Sequence, residues 1–150
     1  MSLDVTIAQL QKTRPFNGLP RDALQLVAFS AEERKLAAGE VLFEQGDTAD
    51  AGYFVLSGAI TLTTLGESAP RTRVARAGAV IGEAALLTEV TRQATAAVTQ
   101  NARVLRITRQ VFQRVLGEFP DEASKLRAKL AQRTRNLAKE LEALRVRALS

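Results

Sequence analysis

The sequence contains no cysteine and no histidine in its 150 residues. Without cysteine, the chain can form no disulfide and can use no thiol chemistry. Without histidine, it lacks the most common metal ligand and the general base of serine-type and cysteine-type catalytic triads. A metal-dependent activity would therefore need clustered carboxylates, and the sequence contains no such set. We predict no metal site and no enzymatic activity.

Long hydrophobic runs are also missing. No segment approaches the roughly 20 consecutive apolar residues that a membrane-spanning helix needs. The first residues include Asp4 and contain no apolar signal core, which argues against export. These absences predict a cytoplasmic protein with no membrane partner, and the length suits a single domain, 1–150, with its own hydrophobic core.

The net charge is +5 at pH 7, but the basic residues do not form a dense block. Proteins that bind nucleic acids usually concentrate Lys and Arg on one arm or one face. In the C-terminal segment of this chain, basic and acidic residues are interspersed at helical spacing, which is typical of a solvated helix face. We therefore predict no direct binding to nucleic acid.

The middle of the chain, 31–108, contains short alternating or apolar runs that are separated by turn residues such as Gly46-Asp47 and Gly58. This pattern predicts an antiparallel β-roll, a double-stranded jelly roll. Its last strands are predicted over Ala94–Val98 and Ala102–Ile107, after a short polar loop at Thr88–Thr91. The N-terminal segment, 1–30, has helical spacing in Val5–Lys12, with Asp4 as the predicted N-cap, and in Arg21–Ala28, with Pro20 in the predicted first turn. We expect a mainly β protein with flanking helices, of the α+β class.

The C-terminal segment, 109–150, is predicted to be helical. Thr108 can cap a helix over Arg109–Leu116, and Gly117 and Pro120 are predicted to end it. Asp121–Leu149 contains neither Gly nor Pro and is rich in good helix formers, so it predicts one long helix. Its apolar stripe consists of Leu126, Leu130, Leu137, Leu141 and Leu144.

One stretch, Val80–Val98, combines the features of an anion-binding site. Gly82 precedes a helix-compatible run and would let the backbone approach a ligand closely. The first N–H groups of a helix lack intrahelical partners and favour an anion. Arg92 could bind the same anion with its guanidinium. Glu83 is unfavourable beside a phosphate unless it accepts a hydrogen bond, which a sugar hydroxyl would donate. The alternative is a plain turn with a surface ion pair, which would contribute little.

These residues also carry a resemblance. Ile81-Gly82-Glu83-x-Ala85-Leu86, followed after five residues by Arg92-x-Ala94-x-Ala96-x-Val98, resembles the phosphate-binding cassette of the cyclic nucleotide-binding domain family. The catabolite activator protein and the regulatory subunits of cyclic AMP-dependent kinase belong to that family. The earlier spacing of Val41–Phe43, Gly46-Asp47, Tyr53-x-Val55 and Gly58 resembles the first half of the same domain. The cassette in this chain is 81–98.

The resemblance implies a role for each cassette residue. It implies that Gly82 and Glu83 contact the ribose of the ligand. It further implies that the cyclic phosphate is held by the Arg92 side chain and by the main-chain amides of Ala84, Ala85 and Gln93. The implied ligand is cAMP, and cGMP is left open because Gln93 stands where the family usually has Ala, Ser or Thr.

In the family, the helix that follows the roll closes over the base. Arg133 and Thr134 interrupt the apolar stripe of the predicted long helix and are therefore the candidates for base contacts. The alternative for Arg133 is that its stem lies along the stripe while its charge stays in water.

The sequence thus predicts a cyclic nucleotide sensor in which the ligand repositions the C-terminal helix. We expect a homodimer through that helix and a downstream protein partner. No helix-turn-helix motif follows the long helix, so we expect a free-standing sensor or a domain cut from a longer protein. Two alternatives remain open. One is a roll without ligand that serves as a dimerising interaction module, with Glu83 and Arg92 paired to each other. The other is a small-molecule enzyme, which the missing histidines disfavour.

Overall fold

The computed structural model describes residues 3–149, apart from the side chains at positions 134, 148 and 149. The described α-helices are α1 (Leu3–Leu10), α2 (Arg21–Ser30), α3 (Arg109–Glu118) and α4 (Pro120–Leu149). Two short 3₁₀ helices cover Phe16–Gly18 and Glu83–Leu86, and the second is called the cassette helix below. The strands are β1 (Glu32–Leu36), β2 (Val41–Phe43), β3 (Thr48–Ala49), β4 (Ala51–Thr64), β5 (Arg71–Arg76), β6 (Val80–Ile81), β7 (Val90–Thr91) and β8 (Thr95–Thr108).

The strands form an antiparallel roll built around β4 and β8. The larger sheet runs β1-β8-β4-β5, with β2 also paired to β8 and β6 also paired to β4. The second sheet joins β3 to β7, and the strand pairs of the described residues are all antiparallel. The prediction of an antiparallel β-roll with short N-terminal helices and a long C-terminal helix is confirmed.

Alternation along β4 separates two hydrophobic cores. Phe54 and Leu56 contact the cluster formed with α1, α2, α3 and the start of α4. Tyr53 and Val55 point the opposite way, because successive side chains of a strand face opposite sides, and they pack inside the roll. One face of β4 therefore packs against the helices, and the other face lines the interior of the roll.

The predicted start of α3 is confirmed, whereas the predicted starts of α1 and α2 differ in detail. The Thr108 hydroxyl accepts a hydrogen bond from the Val111 N–H at 3.1 Å, so the predicted cap of α3 is present. Pro20 lies at the N-cap of α2, one residue earlier than the first-turn position that the sequence predicts. Asp4 lies inside α1, where its carboxylate accepts a hydrogen bond from Arg21 at 2.7 Å instead of capping the helix.

Three predicted details of the strands and helices are wrong. Ala94–Val98 and Ala102–Ile107 belong to one continuous strand, β8, because irregular register with β4 lets the ladder pass the intervening residues. Val90–Thr91 forms a strand with β3 instead of a loop. Gly117 lies within α3, although the sequence predicts that it ends this helix.

The apolar stripe of α4 changes its environment along the helix. Leu126 is buried against the helical core and Leu130 packs at its edge. Leu137, Leu141 and Leu144 lie further on and remain exposed. Within residues 3–149, no helix is both long enough and apolar enough to cross a membrane.

Candidate functional site

Gly82 links β6 to the cassette helix in a left-handed conformation, with φ 75° and ψ 40°. Side chains with a Cβ atom disfavour this conformation, whereas glycine adopts it freely. The Gly82 carbonyl then accepts a hydrogen bond from the Ala85 N–H at 3.1 Å, which closes the first turn of the cassette helix. The Ala84 amide precedes that bond and so has no partner within the cassette helix.

The backbone of Arg92 is fixed by the turn between β2 and β3. Its N–H donates to the Asp47 carbonyl at 2.7 Å, and its carbonyl accepts from the Gly46 N–H at 2.9 Å. The two residues that precede Arg92, Val90 and Thr91, form β7 and continue this ladder by pairing with β3. The predicted turn Gly46-Asp47 therefore positions the arginine, a role that the sequence did not reveal.

The Arg92 side chain is buried, with 7% of the residue exposed. Its Nη2 donates to the Ala51 carbonyl at 2.6 Å, and its guanidinium carbon lies 4.1 Å from the ring centroid of Phe43 and 5.6 Å from that of Tyr53. Such cation–aromatic contacts stabilise a cation but supply no acceptor. The other terminal nitrogen, Nη1, is buried without any hydrogen-bond partner.

Burial of the guanidinium also affects its protonation. Desolvation lowers the pKa of Arg92 from its ordinary value, and the nearby Tyr53, Asp50 and Asp47 oppose this effect. Arginine nevertheless stays protonated in proteins. The chain therefore keeps a desolvated cation with one free donor, and an anion is the ligand that such a group favours.

A cavity of about 410 Å³ lies inside the roll beside this arginine. Five of the predicted site residues line it, namely Gly82, Ala84, Ala85, Arg92 and Gln93. Apolar residues complete much of the wall, as is usual for pockets that bind small molecules: Phe43, Leu62, Ile81 and Val90. The Gln93 residue is exposed, and its Nε2 donates a hydrogen bond to the Thr91 carbonyl at 3.2 Å.

Glu83 does not line this cavity. Its Oε1 accepts a hydrogen bond from Arg133 Nη2 of α4 at 2.9 Å. Together with Leu87, Leu130 and Leu137, the pair lines a separate hollow between the cassette helix and α4. The expectation that Glu83 and Arg92 share a pocket is therefore not met, because the opposite charge of Arg133 holds the carboxylate on the α4 side.

Arg133 likewise lies away from the cavity that Arg92 lines. It is 37% exposed at the side chain, and Glu83 is 32% exposed, so the ion pair is only partly shielded from water. The predicted role of the Thr134 side chain falls outside the described part of the structure. The pairing of Glu83 with Arg92, which the alternative of a roll without ligand requires, is replaced by the Glu83–Arg133 pair.

Sequence reasoning missed several residues around the cavity. Phe43 was predicted only as part of a strand, although its ring packs against the Arg92 guanidinium. Arg71 and Arg73 of β5 also line the cavity. The alternation of 71, 73 and the buried Ala75 along one strand was the signal that could have identified the two arginines.

Comparison with known proteins agrees with this arrangement. The family model described as "Cyclic nucleotide-binding domain" matches residues 33–119, which include the cassette helix, Arg92 and the cavity walls. The chain belongs to the cyclic nucleotide-binding domain family. The resemblance stated from the cassette pattern is thereby confirmed.

Individual relatives of this cyclic nucleotide-binding domain are of several kinds. It is 36% identical to a cyclic nucleotide-binding-like protein from Brucella abortus, with a TM-score of 0.69, over 76% of this chain and 99% of that one. It is 31% identical to the cyclic AMP receptor protein of Thermus thermophilus, over 86% of this chain and 61% of that protein. It is 32% identical to lysophospholipase nte1 of Aspergillus oryzae, over 79% of this chain but only 8% of the lysophospholipase.

Proposed function

We propose that this chain is a cyclic nucleotide sensor and that cAMP is its first candidate ligand. The observation that carries the proposal is the buried Arg92 guanidinium beside the cavity, with Nη1 lacking a partner. An unpaired donor in a desolvated site costs free energy, which a bound phosphate oxygen would recover through a charge-assisted hydrogen bond. The name of the Thermus thermophilus relative, a cyclic AMP receptor protein, supports the choice of nucleotide.

In this proposal the cyclic phosphate binds Arg92 and the main-chain amides of Ala84, Ala85 and Gln93, and the Ala85 N–H is shared between the phosphate and the Gly82 carbonyl. All four residues border the same cavity, which supports their joint assignment. Gly82 is assigned to the ribose through its main chain, and its missing side chain leaves room for the Arg92 guanidinium. The sugar-binding carboxylate is assigned to Glu83.

Glu83 must change its partner to reach the ribose, since its carboxylate now accepts from Arg133. Ion pairs that are exposed to this degree are weak, typically about 0–1 kcal/mol, so a ribose hydroxyl can compete for the carboxylate. Arg133, once released, is free to contact the base together with Thr134. The ligand would thus exchange one contact of α4 for another and thereby reposition the helix.

Calorimetric titration with cAMP and cGMP tests the proposal. We expect saturable binding of at least one of the two nucleotides, with a stoichiometry of one ligand for each chain. AMP, which carries an open phosphate monoester, serves as the control for nonspecific anion binding. If neither cyclic nucleotide binds at millimolar concentration, the proposed function is wrong.

We also propose a homodimer through α4, and one observation favours it. Leu137, Leu141 and Leu144 follow helical spacing and are each more than half exposed, which leaves an apolar stripe in contact with water. Pairing with the same stripe of a second chain would bury it.

A dimerising module without ligand uses the same surface, and the nucleotide titration separates it from the sensor. A cytoplasmic location and a downstream protein partner remain part of the proposal.

A further inference from the structure

The inward face of β5 carries two arginines that the proposed function does not use. In the β4–β5 ladder, Ala75 is opposite Ile60 and Arg73 is opposite Leu62. Ala75, Ile60 and Leu62 are all buried in the roll interior. Because side chains alternate along a strand, Arg71 and Arg73 share the face of Ala75 and continue it toward the loop that connects β4 to β5.

Both arginines line the cavity that Arg92 also lines. The lining contains three guanidinium groups and no carboxylate. Within the described residues, Arg71 and Arg73 have neither an ion pair nor a side-chain hydrogen bond. They are two positions apart on one strand face, so their Cα atoms lie roughly 6–7 Å apart and their charges repel.

One cyclic phosphate can neutralise only one of these three cations. Its proposed place is at Arg92, which leaves the two β5 guanidinium groups without a counter-charge. Hydrogen bonds to a purine base would not supply this counter-charge. Guanine O6 and N7 can bind the guanidinium of only one arginine, and they carry no charge. A second phosphate can accept hydrogen bonds from both guanidinium groups at once and relieve their repulsion.

We propose that Arg71 and Arg73 form a second phosphate-binding position at the mouth of the cavity, so that the site prefers a cyclic dinucleotide to a cyclic mononucleotide. The inference rests on the proposed function, since one phosphate of the dinucleotide still binds Arg92. Both arginines are exposed, whereas Arg92 is buried. The second half of the ligand therefore extends from the cavity toward solvent instead of requiring a larger interior.

The test compares two ligands with the same base, cAMP and cyclic di-AMP, by calorimetric titration of the whole chain. The intact protein should bind cyclic di-AMP about tenfold or more tightly than cAMP, which corresponds to one good charge-assisted contact. The double substitution Arg71→Ala and Arg73→Ala should remove this advantage, because it should weaken the binding of cyclic di-AMP far more than the binding of cAMP. The advantage should also shrink as salt is raised from 0.05 to about 0.5 M, because exposed charges are screened.

Arg76→Ala is the matched control. Arg76 lies on the same strand and is exposed, but it pairs with Ala59 in the register, on the face opposite to Arg71 and Arg73. The substitution removes one positive charge, where the double variant removes two, and it does not touch the cavity lining. It should leave both affinities unchanged, and thermal unfolding of each variant checks that the roll remains folded.

Each alternative result identifies which idea fails. If cAMP binds and cyclic di-AMP binds no more tightly, the second phosphate position is wrong and the proposed function stands. If cGMP binds more tightly than cAMP and Arg73→Ala removes that difference, Arg73 contacts the base and the inference is overturned. If the Arg76 variant loses as much affinity as the double variant, the effect is general electrostatics and the inference fails. If no cyclic nucleotide binds, the proposed function itself is wrong.

Discussion

Nη1 of Arg92 occupies the space that a β-carbon on residue 82 would need. Gly82 therefore serves two purposes, since it adopts a left-handed conformation and also leaves room for the arginine. The two residues are ten positions apart in the cassette, and the close contact explains physically why a glycine and an arginine occur together at this spacing. If residue 82 had a side chain, its β-carbon would clash with Nη1, and the Arg92 guanidinium could not occupy this position.

Replacing Gly82 by alanine should impair both folding and binding. The left-handed backbone costs a non-glycine residue about 1–2 kcal/mol, and the clash with Arg92 adds to this cost. Gly78→Ala is the matched control, because Gly78 also has positive φ but a Cβ there meets no atom within 4 Å. Urea unfolding should show a larger loss for Gly82→Ala, and only this variant should lose affinity for cAMP. Equal losses in the two variants would mean that the contact with Arg92 is unimportant.

Arg92→Met should separate stability from binding. Removing a desolvated cation with an unpaired donor relieves a folding cost, but the buried Ala51 carbonyl loses its hydrogen bond from Arg92. These effects oppose each other, so the free energy of unfolding should change by no more than about 1 kcal/mol. Affinity for cAMP should fall by about 2 kcal/mol or more, because the phosphate loses its charged partner. Chemical unfolding and calorimetry measure the two quantities. A variant that is much less stable yet binds normally would show that Arg92 is a structural residue.

Glu83→Gln should weaken the binding of cAMP by about tenfold, since a hydrogen bond to a charged acceptor is stronger than one to an amide. The same change should lower the free energy of unfolding by no more than about 1 kcal/mol, because the ion pair with Arg133 is partly exposed. Glu89→Gln, at an exposed position shortly after the cassette helix, is the control and should change neither quantity. Unaltered affinity in Glu83→Gln would refute the ribose assignment.

The exposed stripe of α4 should determine the oligomeric state. Replacing Leu137 and Leu141 by alanine should convert the dimer to a monomer in sedimentation experiments at micromolar concentration, because the shared apolar surface is lost. Lys139→Ala changes the same stretch at a polar position and should leave the dimer intact. A wild-type chain that sediments as a monomer at every concentration would contradict the dimer.

The fold was accessible from the sequence because its determinants are local. Alternating runs and turn glycines predict the strands of the roll, and Thr108, whose hydroxyl caps α3, predicts the start of that helix. The two segments near Ala94 and Val104 were not recognised as one strand, since the irregular register with β4 is a property of the pairing and not of either segment alone.

The site was accessible only in part. The cassette pattern identifies Gly82 and Arg92, because the left-handed backbone of Gly82 and the charge of Arg92 depend on the residue type alone. The pair Glu83–Arg133 joins residues fifty positions apart, and its formation depends on how α4 packs against the cassette helix. The arginines of β5 were missed because their position at the cavity follows from the register between β4 and β5.

A crystal structure of the chain with cAMP bound is the most direct test of the central claim. The account predicts a phosphate oxygen within about 3 Å of Nη1 of Arg92, with the Glu83 carboxylate turned from Arg133 to the ribose hydroxyl. A phosphate bound elsewhere, with Nη1 still unpaired and the Glu83–Arg133 pair intact, would contradict it.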